Sequence, residues 1–127
     1  MRLTKLMVIA AGLGLGAGAA LAEVPVMYAD TAMGKVLVDA DGMTLYTFDK
    51  DKDGMSACYD KCAVNWPPLL AAEGAMAEGD YGLTKRNDGA MQWTYDGMPL
   101  YLWVQDLAPG DTTGDGVGGV WHVVKSE

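Results

Sequence analysis

Three kinds of hydrophobic pattern follow one another along the chain. The first is a continuous apolar run from Leu6 to about Ala20, flanked by Arg2 and Lys5 and closed by Ala20-Leu21-Ala22 before Glu23. A basic flank, an apolar centre and small residues before the boundary predict a signal peptide over 1–22, cut between Ala22 and Glu23. Gly12, Gly14, Gly16 and Gly18 break the run, and a retained span asks for ~20 strongly apolar residues. The run therefore points to export rather than to a membrane anchor. The second pattern is short and alternating. Lys35-Val36-Leu37-Val38 is β-prone, Asp41-Gly42 is a hairpin-turn signal, and Thr44 to Phe48 then alternates. Period-2 spacing puts Leu45 and Thr47 on one face and Tyr46 and Phe48 on the other. The same succession returns at Met91-Gln92-Trp93-Thr94, Asp96-Gly97 and Pro99 to Val104, and Val120 to Val124 forms a last β-prone run. The third pattern has no period. Ser56 to Asn65 predicts one or two helical turns with Ser56 as N-cap, ended by Trp66-Pro67-Pro68, and Leu69 to Asp80 predicts a connector holding a short helical turn.

The alternating segments are two copies of one unit. Asp41-Gly42-Met43-Thr44-Leu45-Tyr46-Thr47-Phe48 aligns without gaps on Asp96-Gly97-Met98-Pro99-Leu100-Tyr101-Leu102-Trp103. At the same offset of 55, Gly34 falls on Gly89, Asp51 on Asp106 and Trp66 on Trp121. The repeats run from about 34 to 70 and from about 89 to 125. A unit this short cannot bury a face alone. The expected fold is mainly β: one domain over 23–127 made of two antiparallel hairpin units related by a pseudo-two-fold axis, with a helical turn near the cysteines.

Removal of 1–22 leaves 105 residues, enough for one core, and a net charge of −10. Such a chain repels phosphate backbones and anionic headgroups, which excludes nucleic acid as an expected partner and favours cations and basic protein surfaces. Cys58 and Cys62 lie in an exported chain and are expected as a disulfide. In a regular helix, positions four apart sit near the upper limit for bridging, so a distorted or strained turn is expected there.

Tyr46-x-Phe48-x-x-Asp51 and Tyr101-x-Trp103-x-x-Asp106 resemble the bacterial secreted-repeat family, defined by a Tyr-x-(Phe/Trp/Tyr)-x-x-Asp motif and often described as predicted lipoproteins. Cys58-x-x-x-Cys62-Ala63 with Trp66-Pro67-Pro68-Leu69 looks like the family's first repeat. Tyr95-x-Gly97-x-Pro99-Leu100-Tyr101 and Pro109-Gly110-Asp111 look like its second. The resemblance implies an exported protein whose biochemical role is largely undefined. With Cys58 as the first cysteine, the chain lacks the lipid-bearing cysteine of many members, so an untethered form is expected.

Each candidate for chemistry competes with a plainer reading. The Tyr46/Phe48 and Tyr101/Trp103 pairs could stack on a ligand, but duplicated same-face aromatics are the filling of a pseudo-symmetric core. Asp51 and Asp106 could pair on a cation, or accept backbone N–H bonds and fix a turn. Asp49, Asp51 and Asp53, ahead of Gly54, have the spacing of a calcium loop with Asp60 at its twelfth position, but a strand stands where the first helix of such a site should be. The scattered methionines suit copper(I) only weakly. Cys58-x-x-x-Cys62 lacks thioredoxin spacing, leaving thiol redox chemistry as an alternative to a structural bridge. His122 is the only histidine, and no catalytic constellation is present. The expectation is a monomeric, non-enzymatic periplasmic or secreted module that binds an unknown protein or small ligand, without a cofactor. Calcium binding, then copper, then thiol redox chemistry are the alternatives.

Overall fold

A computed structural model describes residues 24–126; the expected signal peptide lies outside them. Strands β1 (Val26–Thr31) and β2 (Gly34–Asp39) form an antiparallel hairpin. Strands β4 (Tyr81–Lys85) and β5 (Met91–Tyr95) form its counterpart, extended by the short β6 (Met98–Pro99). Strand β3 (Tyr46–Phe48) pairs antiparallel with β7 (Trp121–Val123). The helix α1 covers Lys61–Asn65, and a 3₁₀ turn covers Val117–Gly119. The fold is mainly β and is built from two repeats.

The two-fold axis passes between Tyr46 and Tyr101. The Tyr46 amide donates to the Tyr101 carbonyl at 2.9 Å and the Tyr101 amide returns the bond at 3.0 Å. Around this centre the repeats exchange their last segments. The Leu37 amide in β2 donates to Val124 of the second repeat, and the Trp93 amide in β5 donates to Leu69 of the first, at 2.8 and 2.9 Å. Each hairpin is thus completed by the tail of the other unit. The halves are edge-joined and interlocked.

The exchange also shows where the gapless alignment slips. Leu37 is matched by Trp93 rather than by Gln92, because β1–β2 is closed by Ala32-Met33 while Arg86 and Ala90 flank a three-residue loop. The later turn restores the register: Asp39 pairs to Met43 around a longer turn, and Tyr95 pairs directly to Met98. Two compensating one-residue differences cancel, so the offset of 55 survives on either side of them.

Alternation sorts the side chains into two cores. Leu37, Leu45, Leu69, Trp93, Leu100 and Val124 form one, filled by equivalent residues of both repeats. Tyr46, Cys58, Trp66, Tyr101 and Trp121 form the other. Leu45 and Tyr46 are neighbours in sequence and lie in different cores, as the period of two requires. Two local expectations fail. Helix α1 starts after Asp60, not at Ser56; the Ser56 hydroxyl instead accepts the Cys58 amide at 3.1 Å and holds a turn. No helical turn forms among the described residues of Leu69–Asp80, because Leu70 bridges to Gln92 and the Ala71 amide donates to Met91. Extended pairing with β5 takes the hydrogen bonds a helix would need.

Candidate functional site

The motif residues meet at the two-fold axis, and their side chains cross it. The Tyr46 hydroxyl donates to Asp106 at 2.7 Å, and the Tyr101 hydroxyl donates to Asp51 at 2.8 Å. Each repeat therefore supplies the carboxylate for the other repeat's phenol. The aspartates also close their own loops. Asp51 accepts the Ala57 amide at 2.7 Å, and Asp106 accepts the Thr113 amide and hydroxyl at 2.9 and 2.6 Å. The turn-fixing and cross-repeat roles fall on the same carboxylates.

The electrostatics follow from burial. Both tyrosine hydroxyls are raised well above the usual phenol range, first by burial and further by the facing carboxylate. Burial also raises the carboxyl of Asp51, against the Ala57 amide, the Tyr101 hydroxyl and the Arg86 charge, which pull it down.

Arg86 departs from the two-fold pattern and carries no signal in the sequence. It is only 6% exposed. Its guanidinium donates to Ser56 at 3.1 Å, Gln92 at 2.8 Å and the Cys58 carbonyl at 2.8 Å, and lies over the Tyr59 ring. Since Tyr101 spends its proton on Asp51, Ser56 donates to Tyr101 at 2.6 Å. A directed chain of donors then runs from the Arg86 cation through Ser56 and Tyr101 to the Asp51 anion. At Tyr46 the Gly114 amide takes the place of the serine, at 3.1 Å.

Between the tyrosines stands a column of rings. Phe48 stacks on Trp121 (4.1 Å), Trp121 on Trp66 (3.8 Å) and Trp66 on Trp103 (3.9 Å). Tyr46 meets Trp66 edge-on at 5.4 Å, and Tyr101 meets Trp121 edge-on at 5.2 Å. Trp66 and Trp121 are buried, while Phe48 and Trp103 are half-buried at the two ends. The tyrosines fill the core; the outer rings are partly open to solvent.

A family described as a secreted repeat of unknown function matches residues 27–70 and 82–125. The chain belongs to this secreted-repeat family. The matched spans begin ahead of Gly34 and Gly89, because each repeat includes the strand, β1 or β4, that opens its hairpin. No curated protein and no solved structure matches the chain. Membership makes this an exported protein.

The remaining candidates make separate contacts. Asp49 meets His122 at 2.8 Å, Asp51 turns inward to Tyr101 and Ala57, and Asp53 and Asp60 hold exposed turns with positive φ. Among the described residues no three His, Cys, Asp or Glu side chains converge as metal ligands. The spacing of Asp49, Asp51, Asp53 and Asp60 is thus not matched by their placement. Cys58 and Cys62 are bonded to each other, with Cα atoms 5.2 Å apart. Cys58 precedes α1 and only Cys62 lies in it, so the bridge spans a turn into the helix rather than a helical face.

A cleft of about 270 Å³ lies where the repeats meet outside the core. Phe48 and Met98 give it apolar wall, and Asp49, Asp51 and Asp53 give it negative charge.

Proposed function

We propose that the protein is a non-enzymatic periplasmic or secreted binding module, freed by cleavage at Ala22/Glu23, that seats a cationic group in the cleft between its repeats. The cleft carries this reading. It sets Phe48 and Met98 beside the acidic residues Asp49, Asp51 and Asp53 in a space of about 270 Å³. An aromatic face beside anionic oxygens attracts ammonium and guanidinium groups, and desolvation strengthens that attraction. The acidic charge of the chain steers basic segments toward it. The fitting ligand class is a basic side chain on a partner protein.

Titration of the isotope-labelled mature protein with an arginine- and lysine-rich peptide tests the reading. Saturable shifts should concentrate in 47–54 and 97–99 and weaken in Phe48→Leu and Asp53→Asn. Shifts spread over all acidic residues and indifferent to both variants would refute it. Turnover of any substrate lost with Asp49→Asn would refute the non-enzymatic part.

A further inference from the structure

The two outer rings of the column are equivalent by repeat and unequal in chemistry. Position 48 holds phenylalanine, which resists one-electron oxidation, and position 103 holds tryptophan, which undergoes it. Three oxidisable indoles therefore run inward from a single end: Trp103, Trp66 and Trp121, with centroids 3.9 and 3.8 Å apart. Trp103 is half-buried and is the member that a solution oxidant reaches. The fourth tryptophan, Trp93, belongs to the other core.

Each inner indole touches a tyrosine already bonded to a base. Tyr46 lies edge-on to Trp66 and donates to Asp106; Tyr101 lies edge-on to Trp121 and donates to Asp51. A phenol loses an electron readily only when its proton can leave at the same time. Here the donor and acceptor oxygens already stand 2.7 or 2.8 Å apart, so the proton moves along an existing hydrogen bond.

We infer that the column is a one-electron relay, with its entry at Trp103 and its ends at the Tyr46–Asp106 and Tyr101–Asp51 pairs. The external partner is a one-electron oxidant, such as an oxygen- or sulfur-centred radical or a high-valent metal complex. It takes an electron from Trp103 and is itself reduced, leaving an indole radical cation. That hole is filled from Trp66, and Trp66 is refilled from Tyr46 or, through Trp121, from Tyr101. The tyrosine O–H bond breaks as its electron departs; the proton passes to the aspartate, giving a neutral phenoxyl and a protonated carboxyl. A one-electron reductant such as a thiolate restores the phenoxyl, and the aspartate returns the proton. The chain thereby draws an oxidising equivalent from its surface onto two buried phenols. The inference does not depend on ligand binding in the cleft.

Flash oxidation of the intact mature protein by a photogenerated ruthenium(III) polypyridyl complex tests this, following indole-radical and phenoxyl absorption in time. Wild type should show indole radical converting to phenoxyl in a first-order phase independent of protein concentration and slowed in D₂O. Trp103→Phe, which copies residue 48 of the other repeat, should lower the amplitude of that phase severalfold. Tyr46→Phe with Tyr101→Phe should abolish it, leaving a longer-lived indole radical. Asp51→Asn with Asp106→Asn should slow it severalfold. An unchanged amplitude in Trp103→Phe, or a phase surviving loss of both tyrosines, would overturn the relay. Should the double tyrosine variant fail to fold by circular dichroism, the Trp103→Phe amplitude and the wild-type isotope effect decide alone, and absence of either overturns it.

Discussion

The crossed phenol–carboxylate bond at Tyr46 and Asp106 is measurable by a double-mutant cycle. Asp106 is 6% exposed and accepts three hydrogen bonds, from Tyr46 and from the amide and hydroxyl of Thr113. Asp106→Ala removes all three and strands a fully buried phenol and a backbone donor. At roughly 1–3 kcal/mol for each of these two donors left unpaired, the loss should be about 2–6 kcal/mol. Tyr46→Phe removes two bonds, to Asp106 and from the Gly114 amide, and leaves Asp106 held by Thr113, so about 2–4 kcal/mol is expected. If the phenol accounts for part of what Asp106→Ala loses, the double variant should be more stable than the sum of the singles predicts. The coupling should be about 1.5–3 kcal/mol, the range of a hydrogen bond to a charged group. Urea unfolding of the four proteins, followed by tryptophan fluorescence with slopes compared, supplies the cycle. Additivity within a few tenths of a kcal/mol would refute the claim that the two repeats are joined through this bond.

Alkaline titration tests the burial of both phenols. Tyr46 and Tyr101 are raised in the folded state, so above pH ~10 the unfolded chain releases phenolic protons that the native chain keeps. Stability is then complete below the unfolded value and falls by about 1.4 kcal/mol per pH unit for each group up to its folded value; phenolate absorbance of these two should rise only together with unfolding, and a smooth titration of all six tyrosines in folded protein would count against it. Gly114→Ala places a methyl 2.9 Å from both Trp66 and Tyr46 ring atoms, and overpacking should cost about 1–3 kcal/mol in thermal unfolding, against no change if the loop simply moves aside. Reduction of Cys58–Cys62 should lower stability by roughly 2 kcal/mol and leave the β circular dichroism intact, since the closed loop is short; global unfolding on reduction would show that the bridge holds more than its turn.

The duplication, the strand segments and the inward face of Tyr46 could all be read from alternation and from agreement at one offset. What alternation cannot express is partnership. Tyr46 and Asp51 belong to one motif, yet each bonds outside its own repeat. Sequence comparison shows that two copies are alike and is silent on which copy completes which. The compensating turns escaped for a related reason: a gapless match averages over differences that cancel. Arg86 escaped because an arginine beside Asn87-Asp88-Gly89 in a hairpin loop reads as solvent-facing; only the assembled fold offers it Ser56, Gln92 and the Cys58 carbonyl. Asp49, Asp51 and Asp53 carry the right letters at the right spacing for calcium. Their backbone has other obligations: Asp49 follows a strand that delivers it to His122, and Asp51 is drawn inward by a phenol.

The exchange of tail segments bears on what a lone repeat could ever be. Cut free, either half keeps a two-stranded hairpin that lacks its closing strand, a phenol without its base and a base without its phenol. Only a second copy, turned through half a revolution, returns all three. A one-repeat ancestor could therefore fold only as a pair of intertwined identical chains, with every inner position obliged to suit both. Joining the copies into one polypeptide lifts that obligation: residue 86 is free to become arginine on one side alone, and residue 103 can differ from residue 48.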